Sequence, residues 1–114
     1  MKSLLIDIET ISSAPLPECG VYKYSESPDF RILLFGYSID GGKAETIDFT
    51  AGETLPDEVL KALTDPEVTK WAFNAQFERI CLSVFLGIKY LDPAQWRCVM
   101  MLPSRIISQT SAIC

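Results

Sequence analysis

Apolar positions dominate the start of the chain. Leu4, Leu5 and Ile6 form a continuous run, after which Asp7, Ile8, Glu9 and Thr10 alternate polar with apolar. A short aliphatic run of this kind predicts a strand buried on both faces. Residues two apart in a strand share a face, so Asp7 and Glu9 are expected side by side near its exit. The pattern then breaks. Ser12, Ser13, Pro15, Pro17 and Gly20 punctuate the next stretch, and prolines at that density interrupt regular structure. The expectation is a long loop, with a short extended piece at residues 21–24 and more loop over 25–28.

From Arg31 to Ile39 the sequence is strongly strand-like, with Ile32, Leu33, Leu34, Phe35, Tyr37 and Ile39. Asp40-Gly41-Gly42-Lys43 predicts a hairpin turn, and residues 44–49 alternate as the returning antiparallel strand. Pro56-Asp57-Glu58 has the composition of a helix start, with Val59, Leu60 and Leu63 on its apolar face. Asp65-Pro66 stops it. Residues 70–73 predict a short fourth strand. A helix over 75–86 comes next, with Phe77, Ile80, Cys81, Val84, Phe85 and Ile88 as its buried stripe. Asp92-Pro93 with Gln95 predicts one more helix start, from which Trp96, Val99, Met100 and Leu102 would face the core. No period is visible from Ser104 onward. The order of elements is α/β with a mixed sheet, the first and fourth strands in the middle.

Composition narrows the chemistry. The chain has 114 residues, 48% of them hydrophobic, which fits one globular domain with a core. Its net charge of -5 offers no general basic field to nucleic acid, so such a role needs a local basic patch or metal ions. The four cysteines are scattered and no histidine is present. Structural zinc and Ser-His-Asp or Cys-His nucleophilic sites are therefore not expected. Free thiols in a reducing, cytoplasmic setting are the simpler reading. No apolar run is long enough for a membrane span, and no secretory signal is expected.

What remains is carboxylate chemistry. Asp7 and Glu9 repel each other at strand spacing, and a hard cation such as Mg²⁺ or Mn²⁺ would relieve that repulsion. The plainer alternative is that the strand simply ends in acids as it meets solvent. Where the fourth strand meets its helix stand Asn74 and Glu78. If that strand lies parallel beside the first, both come near Asp7 and Glu9, and three carboxylates would converge. A lone acid at a helix start, by contrast, needs only the helix dipole to explain it. In the long loop, Tyr22, Lys23, Tyr24 and Arg31 could stack on and pair with a single strand, or the tyrosines could only cover the edge of the core.

Leu5-Ile6-Asp7-Ile8-Glu9-Thr10 resembles the first motif of the DEDD superfamily of 3′→5′ exonucleases, whose fold is ribonuclease H-like. Phe73-Asn74-Ala75-Gln76-Phe77-Glu78 resembles the second. With Cys19-Gly20-Val21-Tyr22-Lys23-Tyr24, Ser27-Pro28-Asp29-Phe30 and Trp96-Arg97-Cys98, residues 6–101 resemble the N-terminal proofreading exonuclease of phage-type family A DNA polymerases. The resemblance implies a site for two ions, Mg²⁺ or Mn²⁺, held by Asp7, Glu9 and Glu78 as the catalytic residues. It implies a single-stranded DNA 3′ end as substrate, with Thr10, Asn74, Phe77, Tyr22 and Tyr24 binding it.

Two departures accompany the resemblance. Glu78 stands where the family usually has Asp, a choice shared by the phage-type branch. The third motif, with its Tyr or His and final Asp, has no match, and after Asp92 the chain contains no Asp or Glu. The reading is thus a C-terminally incomplete, ribonuclease H-like exonuclease domain of a phage or prophage DNA polymerase. It spans residues 1–102, carries a divergent tail at 103–114, and is weak or inactive alone. The alternative is a non-catalytic module that self-associates or binds a partner through apolar surface left uncovered. A nucleic-acid binder without chemistry is a third reading, weakened by the negative charge.

Overall fold

The computed structural model describes residues 1–14 and 16–99, with side chains 16–19 omitted. The expectations for Met100, Leu102 and the tail fall outside those residues. A five-stranded sheet runs β3-β2-β1-β4-β5, built from β1 (Ser3–Ile11), β2 (Arg31–Ile39), β3 (Ala44–Asp48), β4 (Thr69–Ala72) and β5 (Trp96–Cys98). β2 is antiparallel to both β1 and β3, while β4 is parallel to β1 and β5 parallel to β4. Helices α1 (Leu16–Glu26), α2 (Asp57–Thr64) and α3 (Ala75–Leu86) complete the fold. The antiparallel hairpin, the parallel β1–β4 pair and the placement of α2 and α3 agree with the sequence pattern.

β1 is buried on one face only. Leu4, Ile6 and Ile8 join a core with Val59, Ala62, Leu63, Cys81 and Leu82 of the two later helices. Leu5, Asp7 and Glu9 alternate with them and are exposed. The expectation of a strand buried on both faces is therefore corrected: the alternation takes hold at Leu5, within the aliphatic run itself.

Two further differences have local causes. The stretch after β1 is helical rather than a loop, because Pro17 falls in the first turn of α1, where its missing N–H costs nothing. Gly20, at φ 79°, makes the kink that divides the helix. After Asp92, a single 3-10 turn at Pro93–Gln95 leads into β5 instead of a helix. Asp92 does cap, accepting from the Ala94 N–H at 2.9 Å. Trp96 and Cys98 then point to the core and Arg97 away from it, a period of two that a strand satisfies.

The buried face of α3 is rotated from the expected stripe. Glu78, Leu82 and Ser83 are buried with Ile80 and Cys81, while Phe85 and Ile88 are exposed. Ser83 is accommodated because its hydroxyl donates to the Arg79 carbonyl at 2.7 Å and accepts from the Leu91 N–H at 2.8 Å. Phe85 packs its ring against Phe49, with centroids 5.1 Å apart. Cys81 is a free buried thiol, whereas Cys98 is in a disulfide, against the expectation of free thiols throughout.

Candidate active site

Asp7 and Glu9 project from the exposed face of the central strand. Asp7 lies opposite Gly36 in the β1–β2 ladder. The glycine places no side chain beside it, and Asp7 with Leu5, Gly36, Ser38 and Thr46 lines a shallow cleft of about 230 Å³. The register shifts just after Glu9, between Glu9 and Thr10. Such irregularities bend a strand and re-aim its side chains, and they recur beside active sites.

The parallel pairing of β1 with β4 ends at Ile6 and Ala72, so the chain leaves both strands at the same edge of the sheet. Beyond β4, Phe73, Asn74 and the start of α3 occupy that edge. Asn74 caps α3, its Oδ1 accepting from the Phe77 N–H at 3.4 Å. The cap sets the first turn so that Glu78 turns inward, where it is 4% exposed. Its Oε1 has no hydrogen-bond partner. Burial pushes the Glu78 carboxyl up to about 8, backbone N–H groups at the helix start oppose the shift, and the charge of Asp7 adds to it. Asp7 and Glu78 therefore act on one another from separate elements.

The donor set suits a divalent ion of the Mg²⁺ or Mn²⁺ type, since carboxylate oxygens are the hard ligands such ions prefer. The unpartnered, buried Glu78 oxygen is what a cation would satisfy. Among the described residues, however, no group of three or more Asp, Glu, His or Cys stands close enough to hold a metal. Asp7 and Glu78 are brought into electrostatic range; Glu9 does not join them in one such cluster.

The residues expected around the substrate divide. Thr10 and Tyr24 share a hydrogen bond at 2.8 Å between their hydroxyls. The Tyr24 ring meets Phe77 and Phe30, each with centroids 5.9 Å away. Thr10, Tyr24 and Phe77 thus form one partly buried cluster where α1 meets α3, which is the core-edge alternative for Tyr24. Tyr22 is exposed and meets Tyr90 edge to face at 5.5 Å. Lys23 and Arg31 are exposed.

Three residues at the other side of the α3 start escaped the sequence reading. Arg79, Trp96 and Arg97 line a second cleft. The signal was present, since all three lie in the stretches that carry the family resemblance, but spacing alone does not bring β5 to α3.

No known family model matches the chain. Over 98 residues, 86% of its length, it is 54% identical to the DNA polymerase of Bacillus phage SP02, of which it spans 15%. Among solved structures it resembles Brucella melitensis NrnC with bound Mg²⁺ at 21% identity and a TM-score of 0.56, covering 85% of this chain and 41% of that one. NrnC bound to pGG gives a TM-score of 0.58 at 20% identity, covering 96% of this chain and 57% of that one. The mixed five-stranded sheet flanked by helices is the ribonuclease H-like arrangement of these nucleases.

Proposed function

We propose that this chain is a nuclease domain of the DEDD 3′→5′ exonuclease type, hydrolysing phosphodiester bonds at a single-stranded DNA 3′ end with Mg²⁺ or Mn²⁺. The observation that carries this reading is the buried Glu78 carboxylate, one oxygen unpartnered, in electrostatic contact with Asp7 of the central strand. Buried carboxylates with raised pKa values beside a second acid are concentrated at functional sites. The likeness to a phage DNA polymerase and to nuclease folds supports the same class. Asp7 and Glu78 would hold a divalent ion, with Glu9 on the same strand face contributing from beside Asp7. When bound, such ions make a bound water more acidic and stabilise the departing oxygen.

The chain's own residues account for the rest. Asn74 fixes the helix start and with it the direction of Glu78. Thr10, Tyr24 and Phe77 brace α1 against α3. With no acid after Asp92, the chain alone lacks the family's last carboxylate, and its activity is expected to be low. Losing one member of a set that acts as a unit costs orders of magnitude in rate. The test is Mn²⁺-dependent shortening of labelled single-stranded and 3′-recessed DNA, beside Asp7→Ala. Loss from the 3′ end that vanishes in the variant supports the reading. If Mn²⁺ binding is the same in both proteins, the reading is wrong.

A second reading has its own observation. Leu5 and Phe73 are 46% and 55% exposed, and Ile11 is exposed on the same strand as Leu5. Apolar surface left open in this way favours self-association or a partner. Light scattering that shows a monomer at all accessible concentrations counts against self-association.

A further inference from the structure

Away from the carboxylates, unmet hydrogen-bond donors and positive charge gather where α3 begins and β5 runs beside it. A cleft of about 350 Å³ opens there, walled by Gln76 and Arg79 of α3, by Pro93, and by Trp96, Arg97 and Cys98 of β5. Asp7, Glu9 and Glu78 take no part in its lining. Its size is within the range of about 300 to 1,000 Å³ in which small-molecule sites fall.

Its chemistry is that of an anion site. Arg79 Nη1 donates to the Leu91 carbonyl at 2.9 Å, and Arg97 Nη1 to those of Ala94 and Trp96 at 2.7 and 3.0 Å. These bonds hold both guanidinium groups, and among the described residues neither is paired with a carboxylate. A guanidinium has five N–H donors, so most of each fork is left for a ligand. In a chain with 15 acidic residues against 10 basic ones, two unpaired arginines on one cleft are not a random scatter. Trp96 is 7% exposed, and its indole N–H finds no acceptor. A buried donor left in that state is costly and rare, and a ligand acceptor would relieve it. The third contribution is the N-terminus of α3, a helix of 12 residues whose dipole favours negative charge at this end.

We propose that this cleft is a phosphate-binding site that takes the phosphate of a mononucleotide. The planar fork of arginine matches phosphate oxygens two at a time. Phosphate fills only part of the cleft, and Pro93 and the Trp96 ring give the remainder an apolar wall against which a nucleoside can rest. Because none of the three carboxylates lines it, the site stands or falls separately from the nuclease reading.

The test uses the ¹⁵N-labelled full chain in EDTA at constant ionic strength. It is titrated in parallel with dAMP, inorganic phosphate and deoxyadenosine. The readout is the indole N–H cross-peak of Trp96, assigned with Trp96→Phe, with the Trp71 indole as internal control. The expected result is saturable movement of the Trp96 peak with dAMP, a weaker response to phosphate and none to deoxyadenosine. Arg97 is exposed, so Arg97→Gln keeps the fold; it should weaken dAMP binding about tenfold, as loss of a charge-assisted pair does. Asp7→Ala should leave dAMP binding unchanged. The site is refuted if the peak does not move at about 10 mM dAMP, far above any meaningful Kd. It is equally refuted if Arg97→Gln binds as well as the parent, or if deoxyadenosine binds as tightly as dAMP. Loss of dAMP binding in Asp7→Ala would move the nucleotide to the carboxylates, overturning this site while leaving the nuclease reading intact.

Discussion

The two ends of β4 each bury an ionisable side chain and treat it in opposite ways. At the start, Lys70 is 2% exposed, and its ammonium donates to the carbonyls of Asp65 and Val68, both at 2.8 Å. Burial pulls its pKa down, while Asp65 and Asp92 pull it back up. Just past the other end, burial pushes Glu78 up to about 8, and the nearest named charge, Asp7, has the same sign and pushes it further. One Glu78 oxygen has no partner at all. The lysine ties the turn after α2 to the sheet and is satisfied by the fold. The glutamate is left short of a partner by the fold. A buried charge that the chain completes is a structural device, and one that the chain leaves incomplete points to something from outside.

The largest expected effect is at the completed end. Lys70→Ala removes both hydrogen bonds and leaves space in a packed site, so it should cost about 2–4 kcal/mol in urea unfolding. Lys70→Met keeps the stem and should cost about half as much. If both variants are as stable as the parent, Lys70 is not the tie described here, and the contrast between the two ends collapses.

At the incomplete end the effect is one of pH. Between the ordinary value of 4.5 and about 8, the folded chain keeps a proton on Glu78 that the unfolded chain has released. Stability therefore falls as pH rises through that window, with a slope approaching about 1.4 kcal/mol per pH unit from this group. Below the window both states are protonated and the contribution is fully present. Glu78→Gln should remove the slope, leaving the variant close to the parent at acid pH and more stable than it at pH above the window. Mn²⁺ binds the ionised carboxylate, so it should raise the Tm of the parent more at the alkaline side than at the acid side, and do nothing for Glu78→Gln. A parent whose stability is flat in pH would mean that Glu78 is solvated and needs no ligand.

This contrast was only half legible in the sequence. The spacing of Asp7 and Glu9 on an alternating strand gave their shared face, and a parallel β4 gave the approach of Glu78 to Asp7. The depth of Glu78 was not legible, because it depends on how α3 rolls on the sheet. That roll lets Ser83 and Glu78 face inward and leaves Phe85 and Ile88 outside, against the hydrophobic pattern. Lys70 was hidden for a similar reason: an alternating strand puts it on the core face, and only the carbonyls of a neighbouring turn make that tolerable. The helix α1 was lost among prolines whose position in the first turn, rather than their number, decided the outcome. β5 was lost because a capping residue and a proline predict how a helix starts but not whether it continues past one turn.

The smallest expected effect tests the hinge between fold and site, Asn74. Its side chain caps α3, though at 3.4 Å the bond is long, so Asn74→Ala should cost only about 0.5 kcal/mol, the low end for a lost cap. Asp caps as well as Asn does, so Asn74→Asp should match the parent when Glu78 is protonated. It places a second negative charge four residues before Glu78, and like charges at that spacing repel by roughly 0.2–0.5 kcal/mol once both are ionised. The two variants should therefore exchange rank with pH: Asn74→Ala is the weaker below the window, and Asn74→Asp loses ground above it. Urea melts at the two pH extremes read this directly. An Asn74→Ala variant with no cost at either pH would show that the cap is not what holds Asn74 there, and would shift its role toward the substrate end implied by the family resemblance.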